Sequence, residues 1–185
     1  MIILLILVGL VALAGLIYVL MRNSIIGSRN RVEEAWSGID VQLKRRHDLV
    51  PNLVEAVKGY ATHERETFEK VTQARSQAMG AQGVQETAQA ESALTAALGG
   101  LRVVAEQYPQ LRATENFQQL QNQLSELEDE IQAARRIYNS NVQSYNTKIQ
   151  QFPTSIIARQ GGFTAKEFFE IGDDSEREAP QVSFS

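Results

Sequence analysis

The two histidines are the residues from which metal or acid–base chemistry would have to be built, because the chain contains no cysteine. His63 is followed by Glu64, as in the helical zinc-protease motif, but Thr67 stands where the second histidine ligand belongs. Di-iron bundles place a glutamate three residues before a histidine, and a lysine and a tyrosine occupy those positions before His47 and His63. The sequence therefore predicts no metal site and no cofactor.

A carboxylate-rich segment offers little more for catalysis. Its members are Glu126, Glu128, Asp129 and Glu130. Residues this close in a helix spread around its axis, so a solvated face is expected. The sequence has no phosphate-binding loop, dinucleotide fingerprint or nucleophile elbow. It predicts a protein that is not an enzyme and has no small-molecule substrate, and the net charge of −4 disfavours nucleic acid as a partner.

The basic triplet Lys44-Arg45-Arg46 divides between solvent and a helix seam. Lys44 and Arg45 are expected to lie in solvent or to bind an acidic surface of a partner. Arg46 occupies a position that apolar residues fill elsewhere in the pattern, where an unpaired charge is unfavourable. One hypothesis buries Arg46 against a carboxylate or amide of the long C-terminal helix, and the other lets its guanidinium extend to water. The candidate partners are Asn139, Asn141 and Asn146.

A polar stripe lies on the same long helix. Arg135, Asn139 and Asn146 share one face, beside Tyr138 and Tyr145. Such a stripe is suited to pairing with the helix of a second subunit. Polar packing within one bundle is the favoured alternative, because buried polar groups usually find partners inside their own fold.

The apolar residues that position these groups follow a 3-4 spacing from Val32 onward, which is typical of an amphipathic helix with a coiled-coil-like seam. Pro51 interrupts the hydrogen bonding of such a helix, yet the seam keeps its phase on both sides. We therefore expect a kinked but continuous helix, or two coaxial helices meeting near Asp48 to Pro51. The pattern continues to about Met79.

Two more helices are predicted after a loop over residues 80–85. The first covers about residues 86–107. The second and longest begins after the N-cap residue Thr114 and ends before Pro153, with Phe152 as the last residue of its seam.

Beyond Pro153 the character of the sequence changes. Residues 165–171 predict one short helix that carries Phe168 and Phe169. Alternating Val182 and Phe184, behind an acidic stretch, predict an extended partner-binding segment or a disordered terminus. The predicted organisation is an anchor over residues 1–21, a helical bundle over 22–164, and a short helix with an extended tail over 165–185.

The chain begins with an uncharged, largely aliphatic run from Met1 to Met21, and about twenty helical residues cross the hydrocarbon core of a bilayer. Ala12-Leu13-Ala14 resembles a signal-peptide cleavage site, but no basic residue precedes the run and the run continues beyond it. A permanent membrane anchor is therefore predicted. Arg22, Arg29 and Arg31 predict contact with lipid head groups, and they place the N-terminus outside and the C-terminal part in the cytoplasm.

Several motifs along the chain carry a family likeness. They are Arg29-Asn30, the segment from Ala35-Trp36-Ser37-Gly38 to Lys44-Arg45-Arg46, Asp48-Leu49-Val50-Pro51-Asn52-Leu53-Val54, Val57-Lys58-Gly59-Tyr60, Ala134-Arg135-Arg136-Ile137-Tyr138-Asn139, Tyr145-Asn146 and Phe152-Pro153. In order and spacing they closely resemble the LemA family. The resemblance implies a single-pass protein of the bacterial cytoplasmic membrane with a domain of long bundled helices. It implies little about activity, although some relatives belong to the magnetosome membrane apparatus, which suggests the organisation of membranes.

The expected fold is all-α, with a transmembrane helix followed by an elongated antiparallel bundle and a short extended tail. The expected function is a membrane-anchored scaffold that forms homo-oligomers, contacts lipids and organises other membrane proteins. The alternatives are an accessory subunit of a membrane enzyme such as a protease, and membrane remodelling by polymerisation.

Overall fold

The computed structural model of the protein describes residues 1–170, which form six helices. The helices are α1 Ile2–Lys58, α2 Arg65–Gly80, α3 Gly83–Glu106, α4 Pro109–Arg112, α5 Glu115–Gln150 and α6 Thr154–Gln160. The prediction of an all-α fold is confirmed. Val182 and Phe184, the predicted partner-binding residues of the tail, lie outside the described residues.

Helix α1 is continuous from Ile2 through Pro51 to Lys58, as one of the two sequence-based alternatives required. A proline has no N–H to donate to the carbonyl four residues earlier, which here belongs to His47. The Nε of Arg75 donates a 2.7 Å hydrogen bond to that His47 carbonyl oxygen. A side chain of α2 therefore satisfies the acceptor that Pro51 leaves free.

The first bundle helix was expected to continue to about Met79, and this expectation is wrong. Helix α1 ends at Lys58, and the next helix begins at Arg65. The backbone N–H groups of Tyr60 and Ala61 both donate to the carbonyl of Val57, which closes a tight turn. Ala61 is fully buried in that turn. The 3-4 spacing of apolar residues therefore continues through the turn between α1 and α2. For this reason the spacing alone could not show that the helix ends.

The structure divides into two compact units, and α1 and α5 each contribute to both. Unit 1 comprises Met1–Asp40 and Ala133–Phe168. Its buried apolar residues are Ile25, Val32, Ile39, Tyr138, Val142, Tyr145, Ile157 and Ala158. The Trp36 and Tyr138 rings pack with centroids 5.3 Å apart. Phe152 was expected to continue this seam but is 81% exposed, because α5 ends two residues before it.

Unit 2 comprises Val41–Gln132 together with Phe169 and Glu170 of the described residues. Its core is one apolar cluster to which the end of α1, then α2, α3, α4 and the start of α5 contribute. The largest fully buried apolar members are Leu53, Leu94, Leu101 and Leu111. The predicted seam of α1 is buried here at Val50, Leu53 and Val57, as its spacing required.

Helix boundaries follow local capping. The Thr114 hydroxyl accepts a hydrogen bond from the Phe117 N–H, so Thr114 caps α5 as predicted. Helix α3 begins earlier than expected, at Gly83, where the Glu86 carboxylate accepts from the Gln82 N–H. The predicted loop over residues 80–85 thus shortens to Ala81 and Gln82.

The short helix predicted from Ala165 is also wrong, since residues 163–170 are not helical. Tyr145 and Asn146 of α5 bind the backbone of Thr164 and Lys166. Backbone groups engaged by side chains are withdrawn from helical hydrogen bonding, so tertiary contacts override the local helical pattern.

The domain boundaries at residues 21 and 164 stay a prediction.

Candidate functional site

The most unusual chemistry of unit 2 is a buried cluster of charged side chains around Arg46. The side chain of Arg46 is 1% exposed and that of Glu91, on α3, is 0% exposed. Arg46 Nη1 lies 3.5 Å from Glu91 Oε2 and 3.2 Å from Oε1 of Glu128 on α5. Arg46 Nη2 donates a 2.6 Å hydrogen bond to the hydroxyl of Thr95. Arg46 is therefore buried among carboxylates and does not extend to water.

The asparagine partners suggested for Arg46 are wrong, since its partners are Glu91, Glu128 and Thr95. The long helix does supply a carboxylate, but from its first half. Asn146 binds Lys166 in unit 1 instead. Asn139 and Asn141 are half-buried residues of unit 1.

His47 extends the cluster by one residue. Its Nε2 lies 2.6 Å from Glu91 Oε1, and the tautomer with the hydrogen on Nε2 donates it to this carboxylate. Among the described residues, Arg46 Nε and Glu91 Oε2 have no hydrogen-bond partner. Glu91 Oε2 is therefore held by its charge interaction with Arg46, and the cluster is sensitive to the loss of either group.

The sequence contained a signal for Glu91 that was not used. Glu91 precedes Leu94, Leu98 and Leu101 at the 3-4 spacing of the buried face of α3. When an acidic and a basic residue each occupy an apolar position on a buried helix face, the two can be predicted to pair, because an unpaired buried charge is unfavourable. Glu128 was assigned to a solvated face, but its carboxylate turns toward Arg46 and its side chain is 35% exposed.

The geometry of this cluster suits a structural role. Arg46 and Glu91 are out of solvent, and His47 is 8% exposed, so a substrate could approach only the Glu128 edge. Within residues 1–170, no three histidine, aspartate or glutamate side chains are arranged to hold a metal ion. The arrangement joins α1, α3 and α5 of unit 2 by charge.

The other two residues of the basic triplet are exposed. Arg45 Nη1 lies 3.6 Å from Glu130 Oε2, with both side chains at least half exposed, and donates to the side-chain oxygen of Gln42. Pairs of this kind contribute little to stability. Lys44 and Arg45 are thus positioned on the surface, where a partner with acidic groups can reach them.

In unit 1, side chains of α5 hold an extended segment that we call the clasped segment, residues 163–167. The Asn146 amide makes two hydrogen bonds with Lys166: Nδ2 donates to the backbone oxygen and Oδ1 accepts from the N–H, each 2.9 Å long. The hydroxyl groups of Tyr145 and Tyr138 donate to the carbonyls of Thr164 and Glu167, at 3.0 and 2.9 Å. All four bonds contact backbone atoms, so the clasp fixes the path of the chain.

The two tyrosines have shifted acidities. Burial raises the pKa of the Tyr138 hydroxyl above its usual value, and the nearby Glu167 carboxylate raises it further. Burial also raises the pKa of Tyr145, against a smaller opposing effect of the Arg29 cation. Both hydroxyls therefore stay protonated and keep donating at neutral pH.

The polar stripe of α5 divides among several roles. Arg135 and Asn139 are half-buried and take part in interactions within the described residues. Asn146 serves the clasp. The three residues share a helix face, as their spacing predicted, and whether a second subunit also uses that face stays a prediction.

The arginines that follow the apolar run differ in their surroundings. Arg22 is exposed, Arg31 is exposed and donates to the Ser28 hydroxyl, and Arg29 is half-buried with its guanidinium 5.9 Å from the centre of the Phe163 ring. Lys148 of α5 donates to Ser28 Oγ at 2.6 Å and to Ser24 Oγ at 3.1 Å. Contact between these arginines and lipid head groups stays a prediction.

Helix α1 contains one stretch that is long and apolar enough to cross a membrane, and none of that stretch is buried in the protein. It is the one such helix among residues 1–170. Fold and site together define an all-helical protein with an N-terminal apolar helix, a buried ionic cluster and a side-chain clasp.

Comparison with known proteins assigns the family. The sequence profile of the LemA family matches residues 35–184, so this chain belongs to the LemA family. It is 34% identical over 146 residues to protein LemA of Metamycoplasma hominis, which covers 78% of this chain and 66% of that protein. It is similar to magnetosome protein MamQ 2 of Paramagnetospirillum magneticum, with 25% identity over 174 residues, 80% of this chain and 64% of the relative.

A third relative, magnetosome protein MamQ of Magnetospirillum gryphiswaldense, is 22% identical over 173 residues, again 80% of this chain and 64% of the relative. The chain thus spans just under two thirds of the length of these relatives. The apolar N-terminal helix and these relationships together indicate a membrane-associated helical protein.

Proposed function

We propose that this protein is a non-enzymatic, membrane-anchored scaffold that self-assembles and organises partner membrane proteins or local membrane. The observation that carries the proposal is the continuity of α1. The same helix contains the unburied apolar stretch and supplies Ile25 to unit 1 and Val50 to unit 2 as buried core residues. The apolar stretch therefore continues into the folded part of the chain without a flexible linker. A protein that holds its partners in place at a membrane needs such a connection.

The absence of enzymatic activity is supported by the state of the reactive groups. Glu91 and His47 are the acid–base residues that approach one another most closely in unit 2. Both are buried and bound to each other, and Glu91 also pairs with Arg46. General acid–base catalysis needs a group within hydrogen-bond reach of a bound substrate. The cluster is suited to holding helices in place.

A role at a membrane is supported by the relatives, and the binding of partners with acidic groups is supported by the surface. Two relatives are named as magnetosome proteins. The surface carries exposed cations, Lys44 and Arg45, that a partner with acidic groups can bind. The proposed location is the bacterial cytoplasmic membrane, with the N-terminus outside and the chain after the apolar stretch in the cytoplasm, since the basic residues Arg22, Arg29 and Arg31 follow that stretch.

The deciding measurement is the mass of the full-length protein in mild detergent at micromolar concentration, by light scattering after size-exclusion chromatography. The scaffold proposal expects a defined particle of several copies. A monomer of a single size contradicts it. Isolation of one copy with one other membrane protein, lost in Lys44→Glu/Arg45→Glu but retained in the control Lys70→Glu, supports the adaptor alternative. Lys70 is a matched control because it is an exposed cation of the same unit.

Orientation is testable by cysteine labelling, because the natural chain has no cysteine to give a background. The variants are Ile2→Cys, at the start of the apolar stretch, and Ser125→Cys, an exposed position of α5. A membrane-impermeant maleimide added to intact spheroplasts is expected to label residue 2, and to label residue 125 only after lysis. The reverse pattern contradicts the proposed orientation.

A further inference from the structure

The turn between α5 and α6 exposes an unusual amount of apolar surface. Phe152 is 81% exposed and Ile156 is 50% exposed, with Pro153 between them. We call Phe152, Pro153 and Ile156 the apolar turn. Among the described residues after the N-terminal apolar stretch, Phe152 is the most exposed large hydrophobic side chain.

The direction of α5 within unit 1 places this turn near the anchor. Tyr138 packs on Trp36, and ten residues later Lys148 binds Ser24 and Ser28. As α5 proceeds, its partners on α1 therefore move back toward the N-terminal apolar stretch. The end of α5 is the end nearest to that stretch.

The helical rise gives the level of the apolar turn. Helix α5 ends at Gln150, and the Gln151 N–H still donates to the Thr147 carbonyl, so Phe152 begins the turn about one helical turn beyond Lys148. One turn back along α1 from Ser24 and Ser28, the two residues that Lys148 binds, reaches Leu20 and Ser24. Phe152 is therefore expected at the level between Leu20 and Ser24, where the apolar stretch ends and the exposed Arg22 begins the polar part of α1.

The composition at this level is that of a membrane interface. Exposed apolar side chains, phenylalanine among them, insert at the boundary between head groups and hydrocarbon, and basic side chains next to them are attracted to anionic lipids. Phe152 is the aromatic group, and Arg22 and the exposed Arg159 of α6 are the cations. An exposed apolar patch at the level of basic residues, near the end of the anchor, is suited to a bilayer surface.

We infer that the apolar turn is a second membrane-contact site, which inserts Phe152 and Ile156 into the same leaflet at which α1 leaves the bilayer. The ligand is a lipid surface with anionic head groups. This inference rests on the proposed membrane anchor. It adds that unit 1 itself, and not α1 alone, binds the membrane.

The test uses the full-length chain reconstituted in vesicles of phosphatidylglycerol and phosphatidylethanolamine. Single cysteines at Phe152→Cys and Ile156→Cys receive a nitroxide label, and collision with oxygen, which concentrates in lipid, is compared with collision with an aqueous nickel chelate. Ile137→Cys is the matched control, because Ile137 is an apolar residue of α5 in the same unit and is 59% exposed. It lies next to Tyr138, which packs on Trp36, and is therefore farther from the apolar stretch. Leu16→Cys, in the apolar stretch, reports the anchor itself.

The expected result is lipid-like accessibility at residues 16, 152 and 156 and aqueous accessibility at residue 137. Lipid-like accessibility at 16 with aqueous accessibility at 152 and 156 overturns the inference and leaves the anchor intact. Protection of residues 152 and 156 from both reagents also overturns it, since a protein surface then covers the turn. Aqueous accessibility at residue 16 overturns the anchor and the inference together.

Discussion

Arg46 and Glu91 form an ion pair in which neither side chain reaches solvent, with Nη1 and Oε2 3.5 Å apart and side chains 1% and 0% exposed. Such a pair contributes little net stability as a whole, because each ion loses its hydration on burial. Removing one partner is different, since the other is then a buried charge without compensation. Comparing the unfolding free energies of single and double variants therefore tests whether this ion pair is buried.

Replacing Arg46 alone is expected to destabilise unit 2 strongly. Arg46→Met leaves the Glu91 carboxylate buried with His47 as its remaining partner, and the expected loss is about 3 kcal/mol of unfolding free energy. The double variant Arg46→Met/Glu91→Leu removes both charges and is expected to recover most of that loss. Urea unfolding of the full-length protein in detergent, followed by far-UV circular dichroism, gives both values. Arg45→Met is the control, because its exposed pair with Glu130 is worth less than about 1 kcal/mol. Equal effects at positions 45 and 46 would contradict the buried cluster.

Arg75 and Pro51 are expected to be energetically coupled through the carbonyl of His47. Arg75→Met deprives that carbonyl of its donor, with an expected loss of about 1.5–3 kcal/mol, as for hydrogen bonds to charged groups. In a Pro51→Ala background the alanine N–H can donate to the same carbonyl, so the loss from Arg75→Met should be smaller. A double-mutant cycle on urea unfolding measures the difference. Additive effects would show that Arg75 does not compensate for the proline.

Asn146→Ala is expected to release the clasped segment without unfolding the helices. Two backbone hydrogen bonds are lost, each worth about 1 kcal/mol, so the open population should rise on the order of tenfold or more. Tryptic cleavage after Lys166, followed by mass spectrometry, should accelerate by the same factor when opening is rapid. Gln143→Ala is the control, because Gln143 lies on α5 and bonds only locally to Thr147 among the contacts observed. Unchanged cleavage in Asn146→Ala would show that the clasp contributes nothing.

The tyrosines of the clasp predict a loss of stability at alkaline pH. Burial raises the pKa of Tyr138 and Tyr145 in the folded protein, so folding favours the neutral phenols. Their stabilising effect is complete below the unfolded pKa of about 10 and is lost as the pH rises through the raised folded pKa.

The matched variant for this pH effect is Tyr145→Phe, which cannot ionise at that position. It should be less stable than the natural chain at pH 8 by about 1 kcal/mol, because the bond to Thr164 is lost, and the gap should narrow above pH 10. Fluorescence of Trp36, the one tryptophan of the chain, reports unit 1 during urea unfolding. A constant gap from pH 8 to pH 11 would contradict the shifted pKa of Tyr145.

Much of the fold could be predicted because helical periodicity is a local property. The 3-4 spacing placed Val50, Leu53 and Val57 on the buried face of α1, and Thr114 marked the start of α5. Predictions failed where a turn kept the same phase as a helix, after Lys58, and where side chains from far along the chain engaged the backbone, at residues 163–170. The spacing of apolar residues within one segment does not show where such a turn occurs, and it does not show which distant side chains will bind the backbone.

The candidate site was predicted only in part, for a related reason. The apolar-seam position of Arg46 followed from its own helix, but its burial was left open, and its partners come from residues far away in sequence, Glu91 and Glu128. Phe152 was assigned to a buried seam by its spacing and is exposed, because the helix that would have buried it ends at Gln150.

The sequence by itself determined the apolar helix, the all-helical class, the LemA resemblance and the place of Arg46 at an apolar position of its helix, since composition and local spacing encode these features. Whether Arg46 is buried, and against which groups, was left open. Only the tertiary structure decided that Glu91, Glu128 and Thr95 are the partners of Arg46, that Arg75 compensates for Pro51, and that Asn146 clasps Lys166. The physical reason is that a side chain's own burial depends on the face it occupies, whereas its partner depends on how separate helices pack, and helices with equivalent apolar faces can pack in more than one register.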